Sequence, residues 1–322
     1  MILAQSIFDQ YKDYMNPLRK LGAVTIPNVS QVVCDNEYKR LIKSGFSEIQ
    51  AQNMVNAGIQ RCDAELYHKC WMVYGLAKWN QCGKQVYRFN EELTRVLLGN
   101  RSLEIPLQCL DMLPTKAFFV ETTKDSEGFY FCKEYDKEIG DYFILLAVSH
   151  GEITHFFSIP CKDKQKISDA LRATLQSEGE DIPQERFDTT TTYLSGVMQL
   201  VLYLAAVNAE VTTTRNKPVS PERIAKAARK SSKEIRKGNQ VQPTLYHVGT
   251  DFGKRYQQYR EKTQTESTNK GTKKRPHIRR SHFHHYWTGS ADEKKLTLKW
   301  IDTIFVNNNN DEDVLPTIRN VK

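Results

Sequence analysis

Ala117-Phe118-Phe119-Val120-Glu121, Phe129-Tyr130-Phe131-Cys132-Lys133-Glu134-Tyr135, Tyr142-Phe143-Ile144-Leu145-Leu146-Ala147-Val148 and Ile153-Thr154-His155-Phe156-Phe157-Ser158-Ile159 follow one another within some forty residues. Each run is short and rich in aromatic and β-branched side chains, which suit a pleated, buried surface. Asp125-Ser126-Glu127-Gly128 and Ser149-His150-Gly151 have the composition of turns. Short strands joined by short turns predict an antiparallel meander.

Outward from this meander the pattern is helical. Residues 3–21 predict a helix interrupted at Pro17. Ser47 and Gln50 have the spacing of a capping box. Beyond them Ile59, Cys62, Leu66, Cys70, Val73 and Ala77 recur at steps of three and four, flanked by Trp71 and Trp79, with Gly58 a point of division. Asn90 is placed to cap a short helix ending at Leu98. After the meander, helices are expected at about 166–177 and 191–209. Ser220, Pro221 and Glu222 then open another helix, and Gly238 closes it. Ser281–Trp287 and Leu296–Trp300 predict strands, with Ile304-Phe305-Val306 a third. The expected class is α+β: a helical N-terminal part and an antiparallel meander, followed by a basic helix and a small C-terminal β module. Two units are expected, 1–215 and 216–322, the second with a flexible loop at 261–276 and a disordered acidic tail at 307–322.

Charge separates the same two stretches. Residues 1–215 carry 23 Lys and Arg against 27 Asp and Glu, a balance of −4; residues 216–322 carry 23 against 11, a balance of +12. Such asymmetry points to a polyanionic partner for the basic stretch. The seven cysteines are scattered, odd in number and without a CxxC pair, as expected of reduced thiols in a cytoplasm. The start of the chain lacks a charged segment followed by an apolar run, so no secretory signal is expected. The apolar stretch Val197–Val207 is too short to span a bilayer, so no membrane partner is expected.

Two constellations in the basic stretch carry candidate chemistry. Arg223, Lys226, Lys230, Lys233 and Lys237 recur at +3 and +4, which places five cations along one helix face, a pattern that attracts phosphates. The second is Arg275-Pro276-His277-Ile278-Arg279-Arg280-Ser281-His282-Phe283-His284-His285-Tyr286-Trp287, with Lys299 and Trp300 on the following strand. A strand here puts His282, His284 and Tyr286 on one face and Phe283, His285 and Trp287 on the other. Four uses of this motif stay open. Arginines can hold RNA phosphates while flat rings stack on bases. His282, His284 and His277 could ligate a metal, although no cysteine or carboxylate stands at ligand spacing. His282 and His284 could act as base and acid in RNA cleavage. Or Phe283, Tyr286, Trp287 and Trp300 form a small core with incidental polar neighbours. Gly249-Thr250-Asp251-Phe252-Gly253-Lys254-Arg255 lacks the order of a nucleotide-binding loop, and neither GxSxG nor HExxH occurs. No cofactor and no metal are expected.

His277-Ile278-Arg279-Arg280-x-His282-x-His284-x-Tyr286-Trp287-x-Gly289, followed by Lys299-Trp300 and Phe305-Val306-Asn307, resembles the second family of type V-A anti-CRISPR proteins, encoded by phages and other mobile elements. The region Lys116-Ala117-Phe118-Phe119, the apolar helix at 194–207 and Tyr246-His247-Val248-Gly249 are similar in outline. Ser281, Phe283 and His285 depart from the family pattern, in which Gly, Trp and Gly stand. The resemblance implies a regulatory protein, more a binder than an enzyme, in the cytoplasm of a bacterial host. It implies recognition of the nascent polypeptide of the type V-A effector, an RNA-guided DNA nuclease, and loss of its mRNA. The implied partners are that polypeptide, its mRNA and the translating ribosome.

Overall fold

The computed structural model describes residues 2–60, 64–100, 103–122, 127–136, 140–161, 165–177, 184–266, 277–279, 281–290, 294–302 and 304–306. Five helices open the chain: α1 (Leu3–Gln10), α2 (Lys12–Lys20), α3 (Ile26–Lys43), α4 (Glu48–Gln60) and α5 (Ala64–Gln81). Strand β1 (Gln85–Phe89), helix α6 (Glu91–Leu98) and a 3₁₀ turn (Leu107–Met112) follow. Next come β2 (Ala117–Glu121), β3 (Glu127–Asp136), β4 (Gly140–Ser149) and β5 (Glu152–Cys161), then α7 (Ile167–Ser177) and α8 (Gln184–Ala205). The chain continues through β6 (Val211–Thr213), α9 (Pro221–Arg236), β7 (Thr244–Val248) and α10 (Thr250–Glu266). It closes with β8 (His277–Arg279), β9 (His282–Thr288), β10 (Lys295–Ile301) and β11 (Ile304–Val306).

By packing, the chain forms two compact units, neither continuous in sequence. The first comprises Met1–Phe89, Pro114–Asp163 and Val211–Val248; the second Asn90–Leu113, Lys164–Glu210 and Gly249–Lys322. The expected boundary at 215/216 is not among the crossings, though one crossing, between Glu210 and Val211, lies close to it. The basic helix and the C-terminal hairpin consequently fall in different units.

The first unit is built on a seven-stranded sheet of order β5-β4-β3-β2-β1-β7-β6. The meander is present as expected, with β2 to β5 pairing antiparallel in sequence order. The sheet also extends past it: β1 runs parallel to β2 on one side and to β7 on the other. One face packs on α1, α3 and α5 through Ile7, Phe8, Val33, Trp71, Trp79, Val86, Phe119, Tyr130 and Ile144. Gly75 of α5 permits this approach, because a Cβ there would lie 2.8 Å from Leu146 Cδ1 of β4. On the opposite face Tyr246, Tyr87, Phe118, Phe131 and Phe143 form an aromatic ladder across five strands, with successive centroids 5.5, 5.4, 5.1 and 5.8 Å apart. Such pairs contribute about 0.5–1.5 kcal/mol each beyond the area they bury.

Local signals explain several helix ends. Gln50 N–H donates to Ser47 Oγ and Ser47 N–H to Gln50 Oε1, so the capping box forms. Asn90 Oδ1 accepts from Glu92 N–H at 2.9 Å. Ser220 stands at the N-cap in extended conformation, but its hydroxyl caps nothing. The N-terminal break falls at Tyr11, not at Pro17, which lies inside α2. Ile59 does not join the face of Val73 and Ala77; it is half exposed at the end of α4, and Cys62 lies outside the described residues.

In the second unit, α8 buries Leu194, Val197, Met198, Val201 and Leu202. Among the described residues no helix is long and apolar enough to cross a membrane. Helix α10 occupies ground expected to be loop: residues 261–266 are helical, and 267–276 lie outside the described residues, as does the expected acidic tail at 307–322. The start of α10 is closed by Glu210, whose carboxylate accepts from Asp251 N–H at 2.6 Å and Phe252 N–H at 3.0 Å. Glu92, buried on α6, receives Arg95 at 2.9 Å and Arg260 of α10 at 3.1 Å. The six described cysteines are all free thiols.

Candidate nucleic-acid interface

Helix α9 is amphipathic in the expected sense. Ile224, Ala228 and Ser232, spaced by four, are its buried stripe. Gly83, with φ of +87°, lets the turn before β1 lie against Ala228, where a Cβ would stand 2.5 Å from the Ala228 carbonyl oxygen. The stripe fixes the rotation of the helix, so Arg223, Lys226, Lys230, Lys233 and Lys237 are all exposed. Lys237 lies 3.7 Å from Glu234. Among the described residues the other four make no ion pair. Arg229 and Arg236, seven apart and also exposed, widen the basic face. They lie one row aside of the +3/+4 series, so that spacing alone does not pick them out.

The C-terminal hairpin pairs β9 with β10 in a regular antiparallel register, with His284 opposite Lys299 and Phe283 opposite Trp300. Alternation then sorts the side chains. Phe283, Leu296, Leu298 and Trp300 are buried, and the Phe283 and Trp300 rings meet at 4.7 Å. Trp300 also packs edge-on against Tyr203 of α8 at 5.8 Å, and its indole N–H donates to Asp302 at 3.0 Å. Asp302 in turn pairs with Arg255 of α10 at 2.9 Å. On the other face His282, His284 and Lys299 are exposed, and His284 stacks on Tyr286 at 5.8 Å and 26°.

The structure therefore splits the aromatic set. Phe283 and Trp300 are core, whereas Tyr286 and Trp287 are 36% and 60% exposed. The first two position the hairpin; the last two, with His282, His284 and Lys299, are the groups that can meet a ligand. His285 lies on the inner face opposite Leu298 and is partly covered. The backbone of β8 places His277 and Arg279 opposite Val306 and Ile304 of β11. Arg275 and Arg280 lie outside the described residues. Among the described residues no cluster of His, Cys, Asp or Glu could hold a metal ion.

A second polar row was not legible in the sequence. Near the carboxyl ends of β2, β1 and β7, Glu121, Arg88 and His247 are direct neighbours across three parallel strands, and Thr212 of β6 follows His247. Arg88 Nε donates to Glu121 Oε2 at 2.7 Å. Glu121 is buried, and its Oε1 has no hydrogen-bond partner. His247 is held below its ordinary pKa by burial first and by the Arg88 charge second, against the pull of Glu121. One acidic residue ending an apolar strand was the available signal; its neighbours come from distant sequence.

A sequence profile of the anti-CRISPR type V subtype A2 family matches residues 87–308. The chain belongs to that family. It is accordingly an anti-CRISPR protein. Its fold is similar to that of the crystal structure of AcrVA2, with a TM-score of 0.61 and 18% identity over 94% of this chain and 97% of that one. No curated protein matches the chain. The matched span contains α9, the hairpin and the Glu121–Arg88–His247 row, whereas α1 to α5 precede it.

Proposed function

We propose that this anti-CRISPR protein lowers the amount of the type V-A effector by recognising the nascent effector polypeptide and bringing about loss of its mRNA. The observation that carries the RNA half of this reading is the outer face of the hairpin. There His284 and Tyr286 stack in the open beside His282 and Lys299, on a strand pair whose inner side buries Phe283, Leu296, Leu298 and Trp300. Exposed stacked rings next to a cation suit single-stranded RNA. The basic face of α9 supplies a second, sequence-independent attraction for phosphate. The site of action is the cytoplasm of the bacterial host, on the translating ribosome.

The juxtaposition of His282 and His284 on one exposed face also supports a second reading, RNA cleavage by the hairpin itself. One experiment separates the two. Effector mRNA is incubated with the purified chain in a bacterial translation extract, with and without an inhibitor of initiation, and again in buffer alone. Loss that requires translation is the expected result. Cleavage of naked mRNA in buffer would replace the proposal with the ribonuclease reading. Persistence of the mRNA in all three would remove both.

A further inference from the structure

Between α3, α4 and α5 lies a cavity of about 190 Å³ that neither the hairpin nor α9 accounts for. Its walls are Ile26 and Val29 of α3, Ile59 of α4, and Leu66, Trp71 and Tyr74 of α5. Among the described residues, none that lines it is charged. Its polar groups are engaged with one another or with the core: the Tyr74 hydroxyl meets the Tyr142 hydroxyl at 3.0 Å, and the Ser30 hydroxyl bonds the Cys34 and Cys70 thiols. Water in such a place finds few partners, and the walls forfeit contacts while it stays unfilled. One wall is aromatic. Tyr67, Trp71 and Tyr74 stand at i, i+4 and i+7 of α5, with successive rings edge-on at 6.0 and 5.9 Å. Trp71 is held in place by stacking on Phe156 of β5 at 5.6 Å and 22°. Ile59 and Tyr67, 50% and 53% exposed, stand where the cavity meets solvent.

We infer that this cavity binds a free, neutral, apolar ring compound of one or two fused rings. Size sets the first limit. An apolar protein cavity of about 150 Å³ stays dry and takes up benzene, so the somewhat larger space here admits a molecule the size of indole. The lining sets the second. Rings gain from edge-to-face and offset contacts with other rings, and three are offered on one helix. A charged group carried into the cavity would find no partner among the described lining residues and would keep the cost of its lost hydration. The walls are helical, and helical main-chain groups bond one another, so the backbone of a polypeptide finds no strand to pair with. Every lining residue precedes the family-matched span, which begins at residue 87. The inference therefore stands apart from the RNA and polypeptide roles proposed above.

The test is equilibrium dialysis of the full chain against indole. One saturable site per chain is the expected result, and its absence would overturn the inference. Tryptamine and indole-3-acetate carry the same ring with a charge and should bind at least about tenfold more weakly. Equal binding of all three would overturn the neutral, apolar class. Gly58 lines the cavity from within α4, where leucine is a better helix former than glycine. Gly58→Leu should therefore keep the melting temperature and weaken indole binding at least about tenfold by filling the space. A folded Gly58→Leu chain that binds indole as before would overturn the site. Cys70 also lines the cavity and gives a readout without any substitution. Saturating indole should slow its alkylation by N-ethylmaleimide about fivefold or more, because access limits the reaction of a half-buried thiol. An unchanged rate would put indole elsewhere and overturn the assignment. A peptide with one central tryptophan should compete with indole poorly. Tighter binding of that peptide than of indole, with displacement of indole, would make the cavity a polypeptide pocket and overturn the inference.

Discussion

Asn208 and Trp300 exchange two hydrogen bonds: the Asn208 side-chain amide donates to the Trp300 carbonyl at 2.9 Å and accepts from the Trp300 N–H at 2.9 Å. The asparagine thereby pairs with β10 as a neighbouring strand would, and Val207 N–H adds a third bond to the Leu298 carbonyl. Asn208→Ala should cost about 1–3 kcal/mol of local stability. Asn208→Asp, nearly the same shape, should do at least as much harm, because it sets a carboxylate oxygen against the Trp300 carbonyl. Hydrogen exchange at the Trp300 amide is the measurement; unchanged protection in both variants would show that the hairpin does not depend on this pairing.

The exposed cations of α9 give a salt-dependence prediction. Lys226, Lys230 and Lys233 face solvent and have no ion-pair partner among the described residues, so changing all three to Glu should leave the melting temperature nearly unaltered. RNA affinity should fall, and the slope of log K against log salt should shallow by about 0.7 for each phosphate no longer neutralised. Filter binding at several salt concentrations measures both. An unchanged slope would remove α9 from the interface.

His284 stacks on Tyr286, which makes two substitutions informative. If the pair is a platform for bases, His284→Phe should retain most RNA affinity, and His284→Ala should lose about 1–3 kcal/mol of it. His284→Gln should fall between them. If His284 instead transfers a proton, Phe, Ala and Gln should all abolish mRNA loss while leaving affinity close to its starting value. Binding and mRNA half-life measured on the same preparations distinguish the two.

Burial pushes the Cys109 and Cys161 thiols up to about 12, and Cys132 is raised as well. A raised pKa in the folded state favours the protonated thiol. Its stabilising contribution is complete below the unfolded value near 9 and is lost as pH rises through about 12. Buried Tyr74, Tyr87 and Tyr130 are shifted the same way. The melting temperature should therefore fall steadily above about pH 9. At pH 8, iodoacetamide should leave Cys109 and Cys132 unlabelled in the native protein and label them after unfolding, as peptide mass mapping would show.

The meander was legible because its strands are consecutive and their turns carry Gly, Asp and Ser. The faces of the hairpin followed from alternation alone, so the placing of His282, His284 and Tyr286 together was already written in the spacing. Strands β1 and β7 were not legible. Gln85–Phe89 is five residues long, is buried on both sides apart from Arg88, and finds its partner about 160 residues later. Helix α10 was hidden for a different reason: its face is polar, and its start is capped by Glu210 from a distant segment, not by a residue of its own. The Glu121–Arg88–His247 row needed those same long-range pairings and could not appear before them.

The parallel pairing of β1 with β7 also sets the timing of the protein's own birth. Gln85 cannot meet Thr244 until that much chain has left the ribosome. At ordinary synthesis rates the delay is roughly 10 to 30 seconds, and non-local parallel pairing is slow in its own right. During that interval β1 waits as an open edge, and Arg88 and Glu121 have no His247 beside them. The row is finished only when most of the molecule has been made, so a chain still emerging from its own ribosome holds no completed copy of it.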